Sequence, residues 1–157
     1  MNDTDLSAQL SRQPFFSGLS QEALEFLGKS ARPRQLQRGE VLFRQGDWAD
    51  AFYLVGNGEI LVEIPAISGP ALEIQRLREG QILGWSWLIA PFKWTFQARA
   101  EADTDLLQFD GAAILAHCEE DPEFGYALLK RFSALMSERL EAARRRMMDE
   151  WNPPGFA

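Results

Sequence analysis

Apolar and polar positions follow three successive patterns along the 157-residue chain, and each pattern predicts a different kind of element. From Asp5 to about Ala31 the apolar residues Leu6, Leu10, Phe15, Phe16, Leu19, Leu24, Phe26 and Leu27 are spaced for two short helices, with a turn around Ser17–Gly18. Ser20 marks the start of the second helix, because its hydroxyl can accept from a free backbone amide. Glu22 and Glu25 then sit near the positive end of the dipole. From Gln35 to Asp110 the apolar runs shorten and are punctuated by glycine. Strands are expected at Val41–Phe43, Ala51–Val55, Glu59–Ile64, Leu72–Leu77, Phe96–Ala100 and Asp105–Phe109. Asn57-Gly58 between two of these runs predicts a type I′ hairpin, which needs positive φ at both central residues. Turn signals every 8–12 residues or so indicate an all-β sandwich or barrel.

From Pro122 the helical period returns. Asp121 as cap, Pro122 in the first turn and Glu123 behind it form a strong start signal, and one helix is expected over 122–150. Leu129, Phe132, Met136, Leu140, Ala143 and Met147 step by three and four along it. Such a seam is read as a self-association surface that makes a homodimer. The tail at 151–157 cannot continue the helix, because of its paired prolines. The chain 1–157 thus reads as one domain: N-terminal helices at 1–34, a β region at 35–110, C-terminal helices at 111–150 and the tail.

Composition narrows the function classes. The lone cysteine, Cys118, permits no intrachain disulfide, which fits a reducing, cytoplasmic setting. Its neighbours Glu119 and Glu120 do not favour a thiolate. No leader or membrane-spanning pattern is present. A net charge of −7 argues against a nucleic-acid binder, despite local clusters at Arg32, Arg34 and Arg38 and at Arg144–Arg146. The sole histidine, His117, has no partners at metal-ligand spacing and no nucleophile beside it. Nucleotide-phosphate and hydrolase motifs are absent as well. Neither an enzyme nor a metal site is expected.

A family resemblance rests on particular residues. The run Gly39-Glu40-Val41-Leu42-Phe43-Arg44-Gln45-Gly46-Asp47 is followed by Ala49-Asp50-Ala51-Phe52-Tyr53-Leu54-Val55 and Gly58-Glu59-Ile60. Together these resemble the cyclic-nucleotide-binding domain of catabolite activator protein-like sensors. The resemblance implies a double-stranded β-helix (β-roll, or jelly roll), mainly β, with short N-terminal helices and a long C-terminal helix. Arg131–Leu140 is similar to the helix through which that group dimerises. In the family a Gly-Glu pair and an Arg-[Ser/Thr]-Ala run form a phosphate-binding cassette, in which the glutamate accepts from the ribose and the arginine holds the phosphate. Here the corresponding stretches are Gly84-Trp85-Ser86-Trp87-Leu88 and Trp94-Thr95-Phe96, so both charged anchors are tryptophan. Near the position that faces the purine stand Ala142 and Ala143. Each lost bond to a charged group is worth about 1.5–3 kcal/mol, so two losses weaken nucleotide binding by roughly two to four powers of ten.

Three readings of the cassette, 84–100, follow. Its rings can close the pocket by packing on one another. They can instead line a pocket for a flat or apolar effector, with Ser86 and Thr95 as polar points. Altered contacts could also retain cyclic AMP or cyclic GMP, in a sensor acting through a partner protein. Strand alternation would put Trp94 and Phe96 on one side and Thr95 on the other. The expected protein is a regulatory module with no resident cofactor, a homodimer that relies on a protein partner for output. Only seven residues follow Glu150, too few for the helix-turn-helix of the family's transcription regulators, so no direct DNA contact is expected.

Overall fold

The computed structural model describes residues 3–150, and the tail at 151–157 lies outside them. Along the chain run α1 (Asp3–Ser11), a 3-10 turn (Pro14–Phe16), α2 (Gln21–Lys29), β1 (Ala31–Leu36), β2 (Val41–Phe43) and β3 (Ala51–Val55). Then come β4 (Ile60–Ile64), β5 (Leu72–Leu77), β6 (Ile82–Leu83), β7 (Gln97–Ala100), β8 (Thr104–Asp110), α3 (Gly111–Glu120) and α4 (Pro122–Glu150). The strands form two four-stranded antiparallel sheets, ordered β1-β8-β3-β6 and β2-β7-β4-β5. The β-roll with flanking helices agrees with the fold that the sequence implies.

The layering follows from β3, which buries all five of its side chains and so needs cover on both faces. Phe52 and Leu54 pack toward the helices with Leu10, Phe16, Leu27, Phe109 and Phe132. Ala51, Tyr53 and Val55 pack into the space between the sheets with Ile60, Val62, Ala98 and Leu106. The first sheet is therefore the middle of three layers. Helix starts form as their residues dictate: the Ser20 hydroxyl accepts from the Ala23 amide at 3.1 Å, and the Asp121 carboxylate accepts from that of Phe124 at 3.2 Å.

Several expectations change. Residues 31–34 belong to β1 and not to the N-terminal helices, although Arg32, Pro33 and Arg34 look unlike a strand. β1 is an edge strand, where a proline costs no ladder bond and polar side chains face water. Asn57-Gly58 makes no hairpin either. β3 pairs with β6 and β8, whereas β4 pairs with β5 and β7, so the segment crosses from one sheet to the other. Asn57 lacks the positive φ of a type I′ turn; Gly58 adopts 127° and packs so tightly that a Cβ there would lie 2.4 Å from the Thr104 hydroxyl. The glycine serves a close backbone approach.

Candidate functional site

The cassette starts where β6 ends. Gly84 takes a φ of 101°, and a Cβ there would meet the Trp94 ring at 2.6 Å, so only glycine lets the indole lie over this backbone. Where the family resemblance implies a short helix, Trp85–Leu88 forms a single turn closed by the Leu88 amide on the Trp85 carbonyl at 3.0 Å. One turn presents no helix dipole to an anion. The second half of the cassette is stitched to the β2–β3 connection. The Trp94 amide donates to the Asp47 carbonyl at 2.9 Å, and the Trp94 carbonyl accepts from the Gly46 amide at 2.8 Å. The Ala49 amide bonds the Phe92 carbonyl at 2.7 Å.

The aromatic residues divide between two tasks. Trp87 is 2% exposed and lies in the helix-side core, with ring centroids 5.2 Å from Phe52 and 5.3 Å from Phe132. Its indole N–H donates to the Gly84 carbonyl at 3.3 Å, so the polar group is satisfied inside the fold. Trp94 lies on the other side of the cassette, stacked on Phe43 with centroids 3.7 Å apart and planes within 5°. Such a pair contributes about 0.5–1.5 kcal/mol beyond its area burial, which holds the indole against the sheet and leaves an adjoining space unfilled.

That space is a cavity of about 190 Å³ between the cassette, β5 and the C-terminal half of α4. Gly84, Trp85, Ser86, Trp94, Thr95 and Phe96 line it from the cassette. Trp87 and Leu88 do not. Trp87 is core, and Leu88 borders a separate groove against α3 and α4. The expected opposition of Thr95 to Trp94 and Phe96 fails as well, because β7 begins only at Gln97. The preceding bend turns all three residues to the cavity. Of the opposite wall, the family resemblance located Ala143 of α4, while Ile74 and Gln75 of β5 and Met136, Arg139 and Leu140 of α4 were not assigned to it from the sequence. The nearest signal was the resemblance that placed Ala142 and Ala143 beside the purine position.

Charges around the cavity are distributed unequally. Arg99, two residues into β7, is engaged elsewhere: its Nε and Nη2 donate to Glu63 at 3.1 and 3.3 Å, and its Nη1 to Glu101 at 3.4 Å. Lys93 sits outside, with its ammonium 4.9 Å from the Trp48 ring centroid. Neither supplies the charge that the cassette lost. Among the described residues, Arg139 is the one charged side chain on the cavity wall. Burial pulls its guanidinium down to about 10, partly countered by Glu138, so it stays charged at neutral pH. Its Nη2 donates to the Ile82 carbonyl at the start of β6.

The α4 seam is less uniform than its spacing implies. Phe132 is 0% exposed, wedged among Phe15, Phe52 and Trp87, so it belongs to the core and is unavailable to a partner. Met136, Leu140 and Ala143 border the cavity, and Leu140 with Leu129 and Met147 also stands exposed. His117 stacks on Phe26 with centroids 3.9 Å apart, and burial pushes the Cys118 thiol up. No cluster of three or more metal-ligating side chains occurs among the described residues. No helix among them is long and apolar enough to cross a membrane.

Comparison with known proteins agrees with this fold. The family model for the cyclic nucleotide-binding domain matches residues 33–121. The chain is 28% identical over 130 residues to the cyclic AMP receptor protein of Thermus thermophilus, an overlap of 83% of this chain and 58% of that protein. It is 36% identical over 78 residues to the acetyltransferase Pat of Mycolicibacterium smegmatis, covering 50% of this chain and 23% of that one. The chain thus spans less than two thirds of these relatives. A cyclic nucleotide-binding domain from Methylobacillus flagellatus superposes with a TM-score of 0.79 at 19% identity, over 98% of this chain and 86% of the other, which shows the shared fold.

Proposed function

The chain belongs to the cyclic nucleotide-binding domain family, and within it we propose a non-catalytic regulatory sensor whose cavity takes a small apolar or aromatic effector in place of a cyclic nucleotide. The observation that supports this reading is the wall of the cavity. Trp85 and Trp94 stand where the family's glutamate and arginine would anchor sugar and phosphate, and Arg99 and Lys93 are both engaged away from it. A ribose-phosphate placed there would meet one guanidinium, that of Arg139, and neither of the family's two anchors, so most of the hydrogen bonds it gives up with water go unreplaced, which costs more than the ring contacts return. An apolar ring loses nothing on leaving water and gains contact with the indoles.

The same cavity offers a route for output. Its far wall is α4, and Leu140 belongs both to that wall and to the exposed apolar stripe with Leu129 and Met147. In this proposal the stripe is a homodimer seam, and filling the cavity fixes α4 in the orientation that presents it. A protein partner then reads the dimer. Calorimetric titration with cyclic AMP and cyclic GMP tests the ligand reading. No heat of binding is expected up to tens of micromolar nucleotide, and a Kd in the low micromolar range or below would overturn it.

A further inference from the structure

We propose that the effector is a small carboxylic acid with an aromatic or branched apolar body, and that its carboxylate is received by Arg139. This rests on the reading that the cavity takes an apolar effector, and adds the charge and size of that effector. Every other residue on the wall is neutral, and most are apolar. Into this setting α4 projects one guanidinium. Of its five N–H donors one is met by the Ile82 carbonyl, and among the described residues no carboxylate lies within ion-pair distance. The neighbouring Glu138 is exposed and makes no ion pair with it. The half-buried arginine on the outer face of the neighbouring sheet, Arg99, is paired with Glu63 and Glu101, which is the usual way a fold accommodates such a charge. Arg139 has no ion-pair partner among the described residues, and the space in front of it is a cavity.

The chemistry and the volume then select the ligand class. A planar guanidinium fork matches a carboxylate in two parallel hydrogen bonds. A cavity of roughly 150 Å³ lined by apolar side chains admits benzene. The present cavity, at about 190 Å³, therefore holds one ring and a small substituent. The acid's ring would lie against Trp85, Trp94 and Phe96 while its carboxylate meets α4. Because the same guanidinium holds the Ile82 carbonyl just before the cassette, the bound anion would tie helix and cassette together.

The test is titration of the full chain, followed by tryptophan fluorescence and calorimetry, with benzoate, benzamide and toluene. Benzoate is expected to bind at least tenfold more tightly than benzamide, and Arg139→Gln is expected to abolish that preference while leaving toluene binding within about threefold. Arg139→Lys should retain part of the preference. The acid–amide comparison in the unmodified protein needs no variant, so it stands even if a substitution at Arg139 impairs folding. If benzoate, benzamide and toluene bind alike and Arg139→Gln changes none of them, the carboxylate assignment fails while the apolar cavity survives. If none of the three binds at millimolar concentration, both readings fail.

Discussion

Glu63 is an acid on a strand whose other side chains are buried or half-buried and apolar, and it is itself 5% exposed. It is tolerated there because Arg99 donates to both of its oxygens and Gln97 to one at 2.9 Å. These bonds, with Arg99 as the leading cause and burial opposing, hold its carboxyl below the ordinary carboxylate range. A pKa lowered by folding gives stability that is present above the unfolded value and is lost as pH falls through the folded one. The stability difference between the unmodified protein and Glu63→Gln should therefore be constant above about pH 5 and shrink as the solution is acidified below the usual carboxylate pKa. Urea titrations at a series of pH values measure it, and a difference independent of pH down to pH 3 would remove the assigned role. Gly84 poses a steric question instead. Alanine there combines a φ of 101° with a Cβ 2.6 Å from the rigid Trp94 ring, which is itself pinned on Phe43. Gly84→Ala should lower stability by about 1–3 kcal/mol and shift the tryptophan emission, whereas Gly46→Ala, with nothing within 4 Å, should carry only the backbone cost. Equal losses at the two sites, measured by thermal unfolding, would mean that the indole yields.

At the scale of elements, α4 joins three environments along one helix. Its first turns are core, through Phe124, Leu128 and Phe132; its middle borders the cavity; and its outer stripe of Leu129, Leu140 and Met147 faces solvent. Met147 is 69% exposed and touches neither the core nor the cavity, so a change there tests the stripe alone. Met147→Glu should leave the unfolding midpoint of the monomer nearly unchanged, as exposed substitutions do within about 0.5 kcal/mol. It should also weaken self-association at least tenfold in sedimentation equilibrium. Unchanged association would place the dimer contact elsewhere. The extent of α4 was legible in the sequence because Asp121, Pro122 and the unbroken run behind them are local signals. The strands with continuous apolar runs were legible for the same reason. β1 was not, since its stability comes from register with β8 and its side chains point to water. The hairpin at Asn57-Gly58 misled because turn chemistry is local, while the choice of sheet is set by pairing partners far away in sequence. The cassette could be located from its residues, but of the wall facing it only Ala143 could. Arg139 lies some forty residues beyond the cassette, and its spacing marked it only as part of a helix.

For the molecule as a whole, the cavity and the proposed dimer seam share one helix, so in this proposal any energy that binding spends on α4 appears in association as well. Linkage requires that if an effector strengthens dimerisation by some factor, dimerisation strengthens effector binding by the same factor, and couplings of this kind commonly run from about 5-fold to 150-fold. Leu140, on the cavity wall and 70% exposed, and Arg139, bonded to Ile82, are the residues through which the proposed sites would be connected. The net charge of −7 on each chain adds an opposing force, because two like-charged protomers repel at low salt and less so when screened. Saturating benzoate should therefore lower the dimer dissociation constant by at least 5-fold at fixed ionic strength. Raising the salt from about 0.05 to 0.5 M should strengthen the dimer with or without ligand. In the reciprocal experiment, benzoate should bind more tightly at protein concentrations above the dimer constant than below it, by the factor that sedimentation gives. Met147→Glu, which leaves the cavity untouched, should hold the protein at the weaker, monomer affinity at all concentrations. Binding that is insensitive to protein concentration, in a protein shown to dimerise through α4, would separate the two sites and leave the cavity without a route to its output.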